Sequence, residues 1–171
     1  NHPSFAGHLD GVVEVAGIGS IAVDTAYGGD SFAVVDAPSL GFRLSPDEAQ
    51  DLANLGVKIS DAVTEQLGFY HPTNPDWQHI SFCLFRTPVI SGVTRHAVAI
   101  RPGKIDRSPT GTGVSAHLAL LQARGEAGIG TTLIARSIID SEFSGRIEAL
   151  TEIGELDAIV PSLTGRAWIY G

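Results

Sequence analysis

Apolar and polar residues alternate through the first third of the chain. Val13 and Val15, then Ile21 and Val23, lie either side of Gly17-Ile18-Gly19, and the run Ser31-Phe32-Ala33-Val34-Val35 follows Gly28-Gly29-Asp30. A period of two, broken by glycine turns, predicts three strands of a meander. The period then lengthens. Leu52, Leu55, Ile59, Val63 and Leu67 recur at helical spacing and form one stripe, which predicts a helix from Pro46 to Leu67. Ser45-Pro46-Asp47-Glu48 supplies its capping box, with Pro at the first helical position, and Gly68 supplies its stop. Gly56 either bends this helix or lets it approach the sheet closely.

Breakers return from Phe69 to His79, an irregular loop. Ile80 to Phe85 is apolar enough for a strand buried on both faces, and His96 to Arg101 forms another. Ile105 to Gly113 reads as a loop leading into Val114–Ala123, a segment apolar on nearly every side. Such a helix belongs inside the fold rather than upon it. Gly125 ends it, and strands are predicted at Thr132–Ile139, Arg146–Ile153, Ala158–Val160 and Arg166–Tyr170. Strands wrapped around a buried helix describe an α+β domain with a strongly curved sheet.

Composition narrows the function. The 171 residues suffice for one core, and the 11 basic against 19 acidic residues leave a net charge of −8, which opposes nucleic acid and anionic membrane surfaces. No apolar run approaches the length of a membrane helix, and no signal pattern opens the chain, so a soluble, cytoplasmic protein is expected. Cys83 is the single cysteine, which excludes an internal disulfide and multi-cysteine metal motifs. Methionine is absent even at position 1, and the chain stops on a strand-like segment, so it is expected to be one part of a longer protein.

Chemistry concentrates in Ile105-Asp106-Arg107-Ser108-Pro109-Thr110-Gly111-Thr112-Gly113. A Thr-Gly-Thr-Gly turn opening into a helix leaves backbone N–H groups free where the helix dipole also favours negative charge. Glycines let a ligand reach that backbone, and Thr110 and Thr112 add hydroxyls at the rim. A small carboxylate suits the site better than phosphate, because no Lys or Arg follows the loop as in phosphate-binding loops. A dinucleotide fingerprint is disfavoured too, since Pro102-Gly103 and Pro109 stand where a strand should lead directly into the glycines. Asp106 is placed to face an amine, so that together they would grip an amino or imino acid. The plainer alternative is a capped helix with Asp106 bonding within its own turn.

Residues 106 to 116, Asp-Arg-Ser-Pro-Thr-Gly-Thr-Gly-Val-Ser-Ala, closely resemble the second active-site motif of the proline racemase family, which includes hydroxyproline epimerases and trans-3-hydroxyproline dehydratases. Asp24 to Phe32, Gly128-Ile129-Gly130, Arg136 to Phe143 and Thr164 to Ile169 extend the resemblance over nearly the whole chain. The resemblance implies one lobe of the fold shared with diaminopimelate epimerase, a curved, mostly antiparallel sheet around a central helix. Residues 1–171 would be the second lobe of a two-lobed, cofactor-independent protein with its site in the interlobe cleft. The family's first-lobe Cys-Gly-His segment has no counterpart here. The exposed inter-lobe face would also permit a homodimer.

By the same resemblance, Gly111 and Thr112 hold the carboxylate of proline or hydroxyproline, Asp106 holds the ring nitrogen, and Thr110 stands where racemases carry their second thiol. A hydroxyl is far too weakly acidic to exchange the α-proton as a thiol does. The resemblance therefore points to trans-3-hydroxy-L-proline dehydration, with hydroxyproline epimerisation or non-catalytic binding as alternatives. His79, in Trp77-Gln78-His79-Ile80, resembles a substrate-contacting histidine of the epimerases, though a structural role is its plainer reading. Cys83 reads as a small hydrophobe, His2, His8, His71, His96 and His117 show no metal-ligand spacing, Tyr27-Gly28-Gly29-Asp30 reads as a hairpin turn, and Trp168 reads as packing.

Overall fold

A computed structural model describes residues 2–166. Among them the strands are β1 (Phe5–Ala6), β2 (Gly11–Val15), β3 (Gly19–Tyr27), β4 (Ser31–Asp36), β5 (Phe82–Arg86), β6 (Val93–Ile100), β7 (Lys104–Ile105), β8 (Thr132–Arg136), β9 (Glu142–Ile153) and β10 (Leu156–Gly165). The helices are α1 (Ala49–Gln66) and α2 (Gly111–Ala123). One sheet runs β1-β3-β4-β5-β6-β8-β9-β10, with β2 beside β3 and β7 beside β6. β4 with β5 and β6 with β8 are parallel, and the other pairings are antiparallel. The sheet curls until Ser4, beside β1, bonds in both directions with Ile159 of β10.

The curl encloses α2. Phe32 and Val34 of β4, Leu84 of β5 and Val98 of β6 point inward to Ala116 and Leu120, while Leu133, Ile147 and Ile159 meet Val114 and Leu118. The alternate residues of the same strands, Ala33 and Val35, Cys83 and Phe85, Ala97 and Ala99, point outward to Leu52, Ile59 and Val63 of α1. A strand covered on both faces needs a continuous apolar run, which is why β4 and β5 carry one. Gly56 serves close approach: a Cβ there would lie 3.1 Å from the Phe85 ring and 3.2 Å from Cys83, and closer still to Ala99.

The capping region holds as expected, with the Ser45 N–H donating to Glu48 Oε2 at 3.0 Å, but Pro46–Glu48 form a short 3₁₀ turn and the α-helix begins only at Ala49. β9 and β10 are much longer than the predicted Arg146–Ile153 and Ala158–Val160, because their length is set by pairing from Leu156↔Ile153 to Gly165↔Phe143, not by side-chain pattern. β8 ends at Arg136, short of Ile139, where Ser137 N–H turns to bond the Ser141 carbonyl. The strand expected at Arg166–Tyr170, with Trp168, falls outside the described residues apart from Arg166. No helix among the described residues is long and apolar enough to cross a membrane.

Candidate active site

The helix that carries the glycine-rich turn starts earlier than its apolar residues announce. α2 begins at Gly111 rather than Val114, with the Val114 N–H bonding the Thr110 carbonyl at 2.9 Å. Gly111, Thr112 and Gly113 thus form the first turn, where N–H groups have no intrahelical acceptor. Thr110 is the N-cap residue, and its backbone is unusual: φ is +62° and ψ is 106°. A β-branched residue at positive φ costs about 1–3 kcal/mol and persists only where its surroundings fix it.

Those surroundings are the turn itself. Thr110 Oγ1 donates to Asp106 Oδ2 at 2.6 Å, Ser108 Oγ donates to the same oxygen at 3.0 Å, and Ser108 N–H donates to Oδ1 at 2.8 Å. The Thr110 N–H in turn donates to Ser108 Oγ at 3.0 Å. Asp106 therefore does bond its own turn, as the plainer sequence reading expected. A carboxylate accepts about four hydrogen bonds, so one lone pair, on Oδ1, is left for a ligand. Because the Thr110 proton lies on Asp106, the lone pairs of Oγ1 face elsewhere, and the hydroxyl meets a ligand as an acceptor.

The hairpin turn between β3 and β4 closes over the helix start. A Cβ on Gly28 would lie 2.5 Å from the Ala116 nitrogen and nearer still to the Thr112 carbonyl, and Gly29, at φ +104°, faces the Thr112 side chain. Only glycines allow this approach. Immediately after the turn, Ser31 gathers the loop that precedes β5: its hydroxyl donates to the His79 carbonyl at 2.7 Å and accepts from Trp77 Nε1–H at 3.0 Å. His79 itself is exposed, its ring stacked on Trp77 with centroids 5.8 Å apart and 3.5 Å from the Ser81 hydroxyl. The structure thus brings Asp106, Thr110, Gly111 and Thr112 together on one turn, whereas the contacts of His79 are with Ser31 through its carbonyl and with Trp77 and Ser81 through its ring. Tyr27 at the head of that turn is packed among Phe5, Phe69, His71 and Trp77, and burial, aided by the Asp30 charge, raises its phenol above the ordinary range.

Cys83, set aside in the sequence, behaves as a plain packing group. Cys83 is fully buried, and burial pushes its thiol far up. Among the described residues no three His, Cys, Asp or Glu side chains gather as a metal set. His96 and His117, which showed no ligand spacing, form a buried pair, Nε2 to Nδ1 at 2.9 Å, and His96 Nδ1 lies 3.3 Å from the Pro109 carbonyl. A cavity of about 410 Å³ opens near the opposite end of α2, lined by Asp10, Asp24, Arg86, His117 and Arg124 among others. Sequence spacing gave no sign of the histidine pair, since its members lie 21 residues apart on different elements.

The family model for proline racemase matches residues 1–171. A probable proline racemase from Agrobacterium radiobacter K84, solved with bound carbonate, is similar at TM-score 0.92 and 36% identity over 99% of this chain and 50% of that one. A hydroxyproline epimerase from Agrobacterium vitis, solved with trans-4-hydroxy-L-proline, is similar at TM-score 0.92 and 36% identity over 99% of this chain and 49% of that one. The chain spans about half the length of both.

Proposed function

The chain belongs to the proline racemase family, and on that premise we propose that it is the second lobe of a cofactor-independent trans-3-hydroxy-L-proline dehydratase. The observation that carries this reading is the threonine at the start of α2, with its hydroxyl proton committed to Asp106 at 2.6 Å. A two-base racemase needs an acid there that can give and take the α-proton, and an alcohol bonded in this way cannot. Dehydration needs one base.

In this reading a thiolate on the companion lobe removes the α-proton, the electron pair forms the Cα–Cβ double bond as the C3–O bond breaks, and the departing hydroxide takes a proton, released in turn by the thiol, to leave as water and restore the thiolate. The resulting enamine tautomerises to the cyclic imine, pyrroline-2-carboxylate. The first-turn N–H groups of Gly111 and Thr112 hold the carboxylate and stabilise the charge that builds on it as the proton departs. The free lone pair of Asp106 takes the ring ammonium, and Thr110 orients the substrate through the acceptor face of its hydroxyl. The ligands named for the two similar structures, carbonate and trans-4-hydroxy-L-proline, are the kinds of molecule such a site suits.

A second reading is hydroxyproline epimerisation. It is favoured by the 36% identity to a hydroxyproline epimerase and by the exposed His79 beside Ser81. The two are separated by incubating the complete two-lobed protein with trans-3-hydroxy-L-proline and reducing the products with borohydride. Dehydration yields proline by reduction of the cyclic imine. Recovery of hydroxyproline alone, with inverted α-carbon, would replace the first reading by the second. The variant Thr110→Cys should gain α-proton exchange at the cost of dehydration.

A further inference from the structure

The peptide between Pro109 and Thr110 is held at both ends. Its N–H donates to Ser108 Oγ at 3.0 Å, and its carbonyl faces His96 Nδ1 at 3.3 Å. The orientation of this peptide plane sets φ of Thr110, the strained angle of +62°. We infer that His96 is a positioning residue: with Ser108 it clamps the Pro109–Thr110 peptide, and thereby keeps the Thr110 hydroxyl on Asp106 and the Gly111 N–H directed at the ligand.

The protons of the histidine pair follow from this. A carbonyl only accepts, so His96 carries its proton on Nδ1. Burial lowers the pKa of His96 to about 4, against the opposing bond to the Pro109 carbonyl, and that of His117 well below the usual value, with His96 and Arg86 acting in the same direction on His117, so both rings are neutral near pH 7. His96 Nε2 is then an acceptor, and His117 must donate to it from Nδ1. Both rings hold the Nδ1–H tautomer, although neutral imidazole in water prefers Nε2–H. His117 also lines the cavity near the far end of α2. The chain from that cavity to the catalytic turn passes through His117 and His96, and His96 is the member that touches the turn.

Losing the clamp should let the peptide rotate and relax Thr110 toward negative φ. A displacement of about 1 Å at a reacting centre lowers rate by up to about a hundredfold. The consequence for catalysis rests on the proposed dehydratase reading, but the clamp itself does not.

The test has a spectroscopic and a kinetic arm. Long-range ¹H–¹⁵N correlation spectra of the wild-type protein should show Nδ1–H at both His96 and His117, and Nε2–H at His96 would overturn the inference. In His96→Leu the amide signals of Thr110 and Gly111 should move while those around Ser45 stay. In His96→Asn, whose side-chain amide can donate to the Pro109 carbonyl, they should stay near their wild-type positions. Unmoved Thr110 and Gly111 signals in a folded His96→Leu would refute the clamp. If His96→Leu does not fold, the tautomers and the His96→Asn spectrum decide. In the two-lobed enzyme His96→Leu should lower kcat about 10- to 100-fold with a smaller change in KM, and His96→Asn should recover most of it. Clamp signals as expected in a wild-type protein without turnover would sink the dehydratase reading and leave the clamp standing.

Discussion

The substitution Gly28→Ala tests the join between the β3–β4 turn and the helix that carries the site. Its Cβ would be built 2.5 Å from the backbone nitrogen of Ala116, closer to the Thr112 carbonyl oxygen, and 3.0 Å from Ser115 Cβ. Side-chain Cβ atoms essentially never come within 3.0 Å of other heavy atoms, so something must shift. The obstacles are mainly helix backbone, which cannot rotate aside as a long side chain would. Either α2 retreats or the turn lifts, by a good fraction of an ångström. Overpacking of this kind costs about 1–3 kcal/mol, which for a domain of this length lowers Tm by roughly 2–10 °C. Thermal unfolding followed by circular dichroism measures it. Gly128→Ala is the matched control, because nothing lies within 4 Å of a Cβ there and its φ is unexceptional, and its cost should stay within about 0.5 kcal/mol. A Gly28→Ala protein with the Tm of Gly128→Ala would refute the reasoning, for it would mean that the turn does not press on the helix start.

Three further outcomes follow from other parts of the molecule. Arg124 bonds Asp24 at 2.7 Å and Asp10 at 2.8 Å, but the Asp24 side chain is only 8% exposed against 73% for Asp10, so Asp24→Ala should cost about 2–3 kcal/mol in urea unfolding and Asp10→Ala clearly less. Because burial depresses the His96 pKa to about 4 from an ordinary 6.5, the unfolded chain binds its proton first as pH falls. Stability from that group is full above about pH 6.5 and declines toward pH 4, a loss of order 2 kcal/mol between pH 7.5 and 5 that His96→Asn should reduce. The buried Cys83, whose thiol burial pushes up, should not react with Ellman's reagent in the native protein at pH 8 and should react fully in guanidinium. Prompt reaction of the native protein would contradict its packing against α1.

Elements whose burial dictates their composition were legible in the sequence. Val114 to Leu121 is apolar on nearly every side because the sheet surrounds it, and Phe82 to Phe85 is an unbroken apolar run because α1 covers one face of β5 and α2 the other. What was missed has other causes. β1 and β7, at two residues each, offer no period to read. The polar residues of β9 and β10 conceal strands whose extent comes from pairing across the hairpin. The first turn of α2 does not read as helix because glycine and threonine are poor helix formers, and here a clamp on the Thr110 peptide overrides their preference. The candidate positions Asp106, Thr110, Gly111 and Thr112 are readable as one motif that also contains Ser108, whereas His96 meets that motif at the Pro109 carbonyl, a contact that only the folded chain brings within reach.

The most direct measurement is proton NMR in D₂O of the protein, joined to the companion lobe proposed for it, with trans-3-hydroxy-L-proline, then with trans-4-hydroxy-L-proline and L-proline. The 3-hydroxylated substrate should lose its hydroxyl and give the cyclic imine, while the other two retain their α-protons. Exchange at the α-carbon with every hydroxyl kept would contradict the role assigned to Thr110.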